Sequence, residues 1–319
     1  MEQLKDLDIQ VSSTTLGFTG DGGNINAAKA LGEGILSKDA YTEIIVGNAN
    51  AFKEVTEKIF PLANFGVSVL ASSINPEKMK GLISSIDYPY SIKWGLDFLK
   101  EKRDKVGKEG HKGLSKMIAL GQELGYAMLQ SSSDRKQIQD TINVANMTNL
   151  TPLKIRTCIE TVSMEEEIEK IKGINRELDR NVIWVIEPNK KVGDGTYSSF
   201  LEKYDNILKA YPDIHFGIDL DLGGLPKESN LLSVLDSMNQ NSILPLLISL
   251  SGKENVQGDV RTHLPLGKNV DENRQLASYL YRMQLRGRKI PGLVIETSPA
   301  QQNPLNDYAQ FLNSFNAGL

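Results

Sequence analysis

The chain has 319 residues, 40% hydrophobic and 24% charged, with one cysteine, three histidines and a formal charge of −4. A single cysteine excludes a disulfide framework and any multi-cysteine zinc or iron–sulfur site, and this apolar content excludes low-complexity disorder. The acidic balance provides no overall attraction to nucleic acid or to an anionic membrane.

Short β-branched or aromatic runs alternate with longer amphipathic, charge-rich segments. In chain order the strand candidates are Ile9–Thr15, Thr42–Val46, Val67–Ala71, a weaker Ser91–Gly95, Tyr126–Gln130, Leu153–Glu160, Val182–Glu187, Ile214–Asp221, Leu244–Ser251 and Gly292–Glu296. Helical spacing of apolar residues marks the stretches beginning at Met164 and Phe200, and Tyr308, Phe311 and Phe315 predict a last helix. Strands separated by helices, with few hairpin signals and no Gly/Ser/Pro linker, predict parallel α/β architecture. The expectation is a single (β/α)8 TIM barrel over residues 1–319, about the size at which that fold occurs. Its N-terminal half is irregular or extended, with an insertion-like segment at about 74–120, because the strand candidates before residue 130 exceed what eight repeats require.

Alternation within the later strands separates two faces. His215, Gly217, Asp219 and Asp221 share one side of their run, opposite Ile214, Phe216, Ile218 and Leu220. Ile183, Val185 and Glu187 share a face, as do Lys154, Arg156, Cys158 and Glu160, and Gly292, Val294 and Glu296. Four strands therefore carry an acid at the C-terminal end of one face, where barrel active sites are assembled. Converging carboxylates repel and require a counter-charge. A divalent cation with oxygen ligands, Mg²⁺ or Mn²⁺, is one answer. A metal-free pocket neutralised by Arg156, Lys154 or Lys253 is the other.

Val182-Ile-Trp-Val-Ile-Glu-Pro-Asn, Phe216-Gly-Ile-Asp-Leu-Asp-Leu-Gly-Gly and Gly292-Leu-Val-Ile-Glu resemble the fifth, sixth and eighth strands of the xylose isomerase-like barrel superfamily. That group includes sugar isomerases and epimerases and endonuclease IV, and the resemblance covers Leu153–Glu296. It implies a divalent metal held by Glu187, Asp221 and Glu296, with Glu187 and Glu296 also exchanging the proton next to a substrate carbonyl. His263-Leu-Pro-Leu-Gly-Lys-Asn-Val-Asp resembles the family's substrate-closing loop, which puts His263 near substrate. Lys253, Arg156, Glu160 and Asp219 complete the candidate substrate contacts. Two family positions differ: Asp221 is followed by Leu222 rather than leading to a histidine, and Leu247, Ser249 and Ser251 stand where the seventh strand carries a metal-binding histidine.

The function expected from these residues is a sugar or sugar-phosphate isomerase or epimerase, metal-assisted or metal-free. The alternative is a barrel of the same kind that binds a carbohydrate-like molecule without catalysis. A nuclease is disfavoured by three histidines and negative charge. Neither Gly20-Asp-Gly-Gly nor Gly193-Asp-Gly-Thr has the lysine of a phosphate-binding loop. The N-terminus lacks the apolar core of a secretory signal and no run reaches membrane-span length, so a cytoplasmic protein is expected, with a small molecule as partner and, if it oligomerises, copies of itself.

Overall fold

The computed structural model describes residues 4–5, 7–19, 25–32, 34–70, 74–75, 91–93, 142–143, 153–159, 164–178, 182–188, 197–221, 231–240, 243–256, 259–267, 269–297 and 303–319. The chain opens with β1 (Asp8–Ser12), the short α1 (Ser13–Leu16), a small pair β2 (Phe18–Thr19) and β3 (Ile25–Asn26), and α2 (Ala27–Gly32). The long α3 (Lys38–Ile59), β4 (Asn64–Leu70) and the three-residue β5 (Ser91–Lys93) follow. After β6 (Leu153–Ile159) come α4 (Met164–Glu177), β7 (Val182–Pro188), α5 (Tyr197–Ala210), β8 (Phe216–Asp221), α6 (Leu231–Gln240) and β9 (Leu247–Leu250). A hairpin of β10 (Gly252–Val256) and β11 (Asp259–Leu264) precedes α7 (Val270–Leu285), β12 (Gly292–Ile295) and α8 (Pro304–Asn316).

The expectation of a (β/α)8 TIM barrel, with eight strands each followed by its own helix, is corrected by this arrangement. Seven parallel strands of four to seven residues form the curved sheet, in the order β6-β7-β8-β9-β12-β1-β4. Among the described residues its two edges are joined only through β5, which matches β4 at Val69–Ile92 and Leu70–Lys93 and matches β6 at three positions. Among the described residues six helices of ten or more residues accompany the sheet, where eight repeats would supply eight.

Thr42–Val46, expected as a strand, lies inside α3. Its β-branched residues misled because the stronger pattern is helical: Tyr41, Ile45, Ala49, Phe52 and Thr56 are buried along one face. Ser37 caps this helix, its hydroxyl accepting from the Ala40 amide at 3.2 Å. Tyr126–Gln130 and nearly all of the insertion-like segment lie outside the described residues.

The main core fills the space between the sheet's outer face and the helices. Trp184 is fully buried there, its indole donating to Asn175 Oδ1 at 2.8 Å, as its parity predicts. The two ends of the chain meet in this layer. Phe52 of α3 stacks on Tyr308 of α8 with centroids 4.7 Å apart, and Thr56 and Tyr308 share a hydroxyl–hydroxyl hydrogen bond of 2.7 Å. Burial pushes the Tyr308 phenol above its ordinary range, so it remains a neutral partner. A second, small apolar cluster of Val185, Leu247 and Val294 lies on the inner face, with Ile183 and Leu246 against it.

The segment Leu264–Gly267, expected as part of a closing loop, is tied to the C-terminal helix. Asp307, in the first turn of α8, accepts from the amides of Leu266 at 3.0 Å and Gly267 at 2.8 Å. A Cβ on Gly267 would meet Gln310 Cβ at 2.7 Å, so the backbone approaches the helix as closely as glycine allows. Asp307→Ala removes two charge-assisted bonds and is expected to lower stability by about 1.5–3 kcal/mol, read from the urea-unfolding midpoint.

Candidate functional site

Strand parity places Glu187, Asp219 and Glu296 as the sequence indicates, and register decides what they meet. On β6, β7 and β8, Arg156 lies opposite Val185 and Val185 opposite Gly217, so Arg156, Val185, Gly217 and the residues two positions on face inward. On the far side Asp221 aligns with Ser249, and Ser249 with Val294. Hydrogen bonds to Arg156 bring side chains from β4, β8 and β12 to one level with β6, and these four strands alternate with others across the sheet.

Arg156 stands at the centre of that level with no solvent exposure. Its Nε donates to Asp219 Oδ2 at 2.6 Å, and its Nη2 also pairs with that oxygen. Nη1 donates to Glu296 Oε1 at 2.6 Å and to Ser68 Oγ at 3.2 Å. Nη2 donates to Ser249 Oγ at 2.6 Å and lies 3.5 Å from Glu187 Oε2. The Ser249 hydroxyl lies 2.9 Å from each oxygen of Asp219. The planar fork of a guanidinium suits this task, because its five N–H groups diverge toward acceptors on separate strands.

The electrostatics follow from three acids around one cation. Burial opposes the charge on Arg156, but Asp219, Glu296 and Glu187 outweigh it and hold its pKa well above the ordinary value. Asp219, fully buried, is pushed up chiefly by desolvation and also by Glu187 and Glu296, with Arg156 and the Ser249 hydroxyl opposing. Glu296 is almost enclosed, its side chain 5% exposed, while Glu187 at 15% is the acid of this group that solvent reaches most. A separate pair lies toward the N-terminal ends of the strands. Lys154 Nζ is 3.4 Å from Asp8 Oδ2, and Asn64 donates to Asp8 Oδ1 at 3.0 Å. Burial lowers the Lys154 pKa, and Asp8 partly restores it.

Of the sequence-derived site residues, Glu187, Glu296, Asp219 and Arg156 are thus brought together. Asp221 ends β8 half-buried and is not among the acids bonded to Arg156. Lys253 and His263 lie on the backbones of β10 and β11, a hairpin in which His263, expected in a closing loop, is part of a strand; their side chains are outside the described residues, as is Glu160. The hairpin signal was present in the β-prone residues flanking Gln257-Gly258. His215 immediately precedes β8, at the end opposite the acids, and its carbonyl accepts from the Trp184 amide at 2.8 Å. Ser68 was missed, having no feature that distinguishes it from any strand serine until register sets it beside Arg156. Ser251, following β9, has a buried hydroxyl without a hydrogen-bond partner among the described residues. It is adjacent to Leu250, whose carbonyl accepts from the Glu296 amide at 2.9 Å.

Among the described residues no group of three or more His, Cys, Asp or Glu side chains is placed to hold a metal ion, and no helix is long and apolar enough to cross a membrane. No family model and no curated protein matches this chain.

Proposed function

We propose that the protein binds a small carbohydrate-like molecule at the C-terminal ends of its parallel strands, in a pocket whose carboxylates are organised by Arg156 rather than by a metal. The observation that carries this reading is the guanidinium itself, bonded to Asp219 and Glu296 and near Glu187. A divalent cation would need those oxygens and a further donor, and β9 presents Leu247 and Ser249 in place of an imidazole. The residues present therefore do not fit the metal site implied by the xylose isomerase-like resemblance. Carboxylates and serine hydroxyls are instead suited to hydrogen-bond a polyol, with Glu187 as the accessible acceptor and the Ser251 hydroxyl available beside Glu296. The lone Cys158 accords with a reducing, cytoplasmic setting.

A second reading keeps isomerase or epimerase chemistry without metal. Glu187 and Glu296 approach from β7 and β12, two strands that are not neighbours, and general acid–base catalysis needs groups on different sides of a reacting carbon.

One experiment addresses both. Thermal unfolding is followed with a panel of pentoses, hexoses and their phosphates, in EDTA and again with Mn²⁺ or Mg²⁺, and positive sugars are incubated in D₂O. A sugar-dependent shift that persists in EDTA supports the metal-free pocket, and deuterium incorporation adjacent to the carbonyl, lost in Glu187→Gln, supports proton transfer. Stoichiometric uptake of Mn²⁺ by the wild-type protein, required for any sugar response, would overturn the metal-free reading.

A further inference from the structure

A concavity lies at the other end of the sheet from the Arg156 cluster, where β7, β8, β9 and β12 begin. It has a volume of about 360 Å³, within the range of small-molecule sites. Ile183, Phe216, Leu246 and Ile290 provide apolar walls, while His215 and Lys289 supply the basic groups on its lining. Gly217 also lines it. A Cβ there would lie 2.9 Å from Leu246 Cδ2, so a side chain at 217 would displace Leu246 and alter the cavity wall.

Two lysines, Lys154 and Lys289, lie toward this end of the sheet. Lys289 makes no ion pair among the described residues, and it is near enough to Lys154 to disfavour that residue's charge. Asp8 is the acid paired with Lys154, and it is shared with Asn64. A cation with no ion-pair partner among the described residues, at the rim of an apolar cavity, matches a ligand with a hydrophobic body and one negative group. Tyr204 is the phenol on the lining, and burial raises its pKa to about 12, so it adds no charge.

We propose that this N-terminal-end cavity is a second binding site, independent of the pocket around Arg156, for a small aromatic or branched apolar molecule bearing a single anionic group that pairs with Lys289. The test uses two fluorescent probes of similar shape, anionic 1-anilinonaphthalene-8-sulfonate and uncharged N-phenyl-1-naphthylamine, titrated into the full chain.

The expected result is saturable binding of one equivalent of each probe. Lys289→Glu should weaken the sulfonate probe by roughly tenfold or more, Lys289→Arg should keep it within about threefold, and the neutral probe should change by less than about threefold in both. Glu187→Gln should leave both probes unaffected. Each variant's urea midpoint is measured first, and Lys289→Gln replaces the charge reversal if Lys289→Glu unfolds. Absence of saturable binding, equal sulfonate affinity in the charge-reversed and wild-type proteins, or loss of binding in Glu187→Gln would each overturn the proposal.

Discussion

Arg156→Met is expected to cost about 3–5 kcal/mol of unfolding free energy at neutral pH, the penalty of leaving buried charges without their partner. Methionine fills much of the arginine's volume, so the loss reports charge more than cavity. Asp219, Glu296 and Glu187 would then face one another with no cation between them. Asp219 already lies above its ordinary value of 3.8 because of burial, and losing Arg156 removes the main influence holding it down. A carboxyl whose folded-state pKa exceeds its unfolded-state value contributes stability that is fully present below the unfolded value and is lost as pH rises through the folded one. The variant's deficit should therefore be small in acid and full at neutral pH. Urea denaturation across that range measures it, and a deficit of equal size at all pH values would show that packing rather than charge is responsible.

Glu296→Gln should lower stability by about 1.5–3 kcal/mol, whereas Glu187→Gln should stay within about 0.5 kcal/mol of wild type. The two acids come from equivalent sequence patterns, but their surroundings differ. Glu296 accepts a 2.6 Å charge-assisted bond from Arg156 in an almost enclosed position. Glu187 is 3.5 Å from the same guanidinium and more accessible. Ligand binding should show the opposite order, with Glu187→Gln the more damaging substitution relative to its effect on folding. Paired urea titrations and sugar-dependent thermal shifts separate the two effects. If both variants lost stability equally, Glu187 would belong to the structural core of the cluster and not to its binding face.

The reliable sequence signals were those carried by local periodicity. Two-residue alternation placed Glu187, Asp219 and Glu296 on the inner face and Trp184 on the outer, because side-chain direction along a strand is set by the backbone alone. Helical spacing likewise located α8 through Tyr308, Phe311 and Phe315, all buried. Thr42–Val46 shows where local composition fails. Its β-branched residues fit a strand, yet burial of Tyr41, Ile45 and Phe52 along one face makes it helical. The regular eightfold repeat failed because strand pairing is not local: β5 matches β4 at two positions and β6 at three, which no run of residues in Ser91–Lys93 announces.

The sequence by itself determined that acids end several strands on one face and that some counter-charge must meet them. It left a metal, Lys253, Lys154 and Arg156 as candidates, because each satisfies the same local pattern. Only tertiary structure selected Arg156. The register of β4, β6, β8, β9 and β12 brings Ser68, Asp219, Ser249 and Glu296 within reach of one guanidinium, although as many as 140 positions separate its partners from it in the chain. Register is a property of strand pairs rather than of any strand, so the identity of the neutralising group emerges only when the sheet has formed.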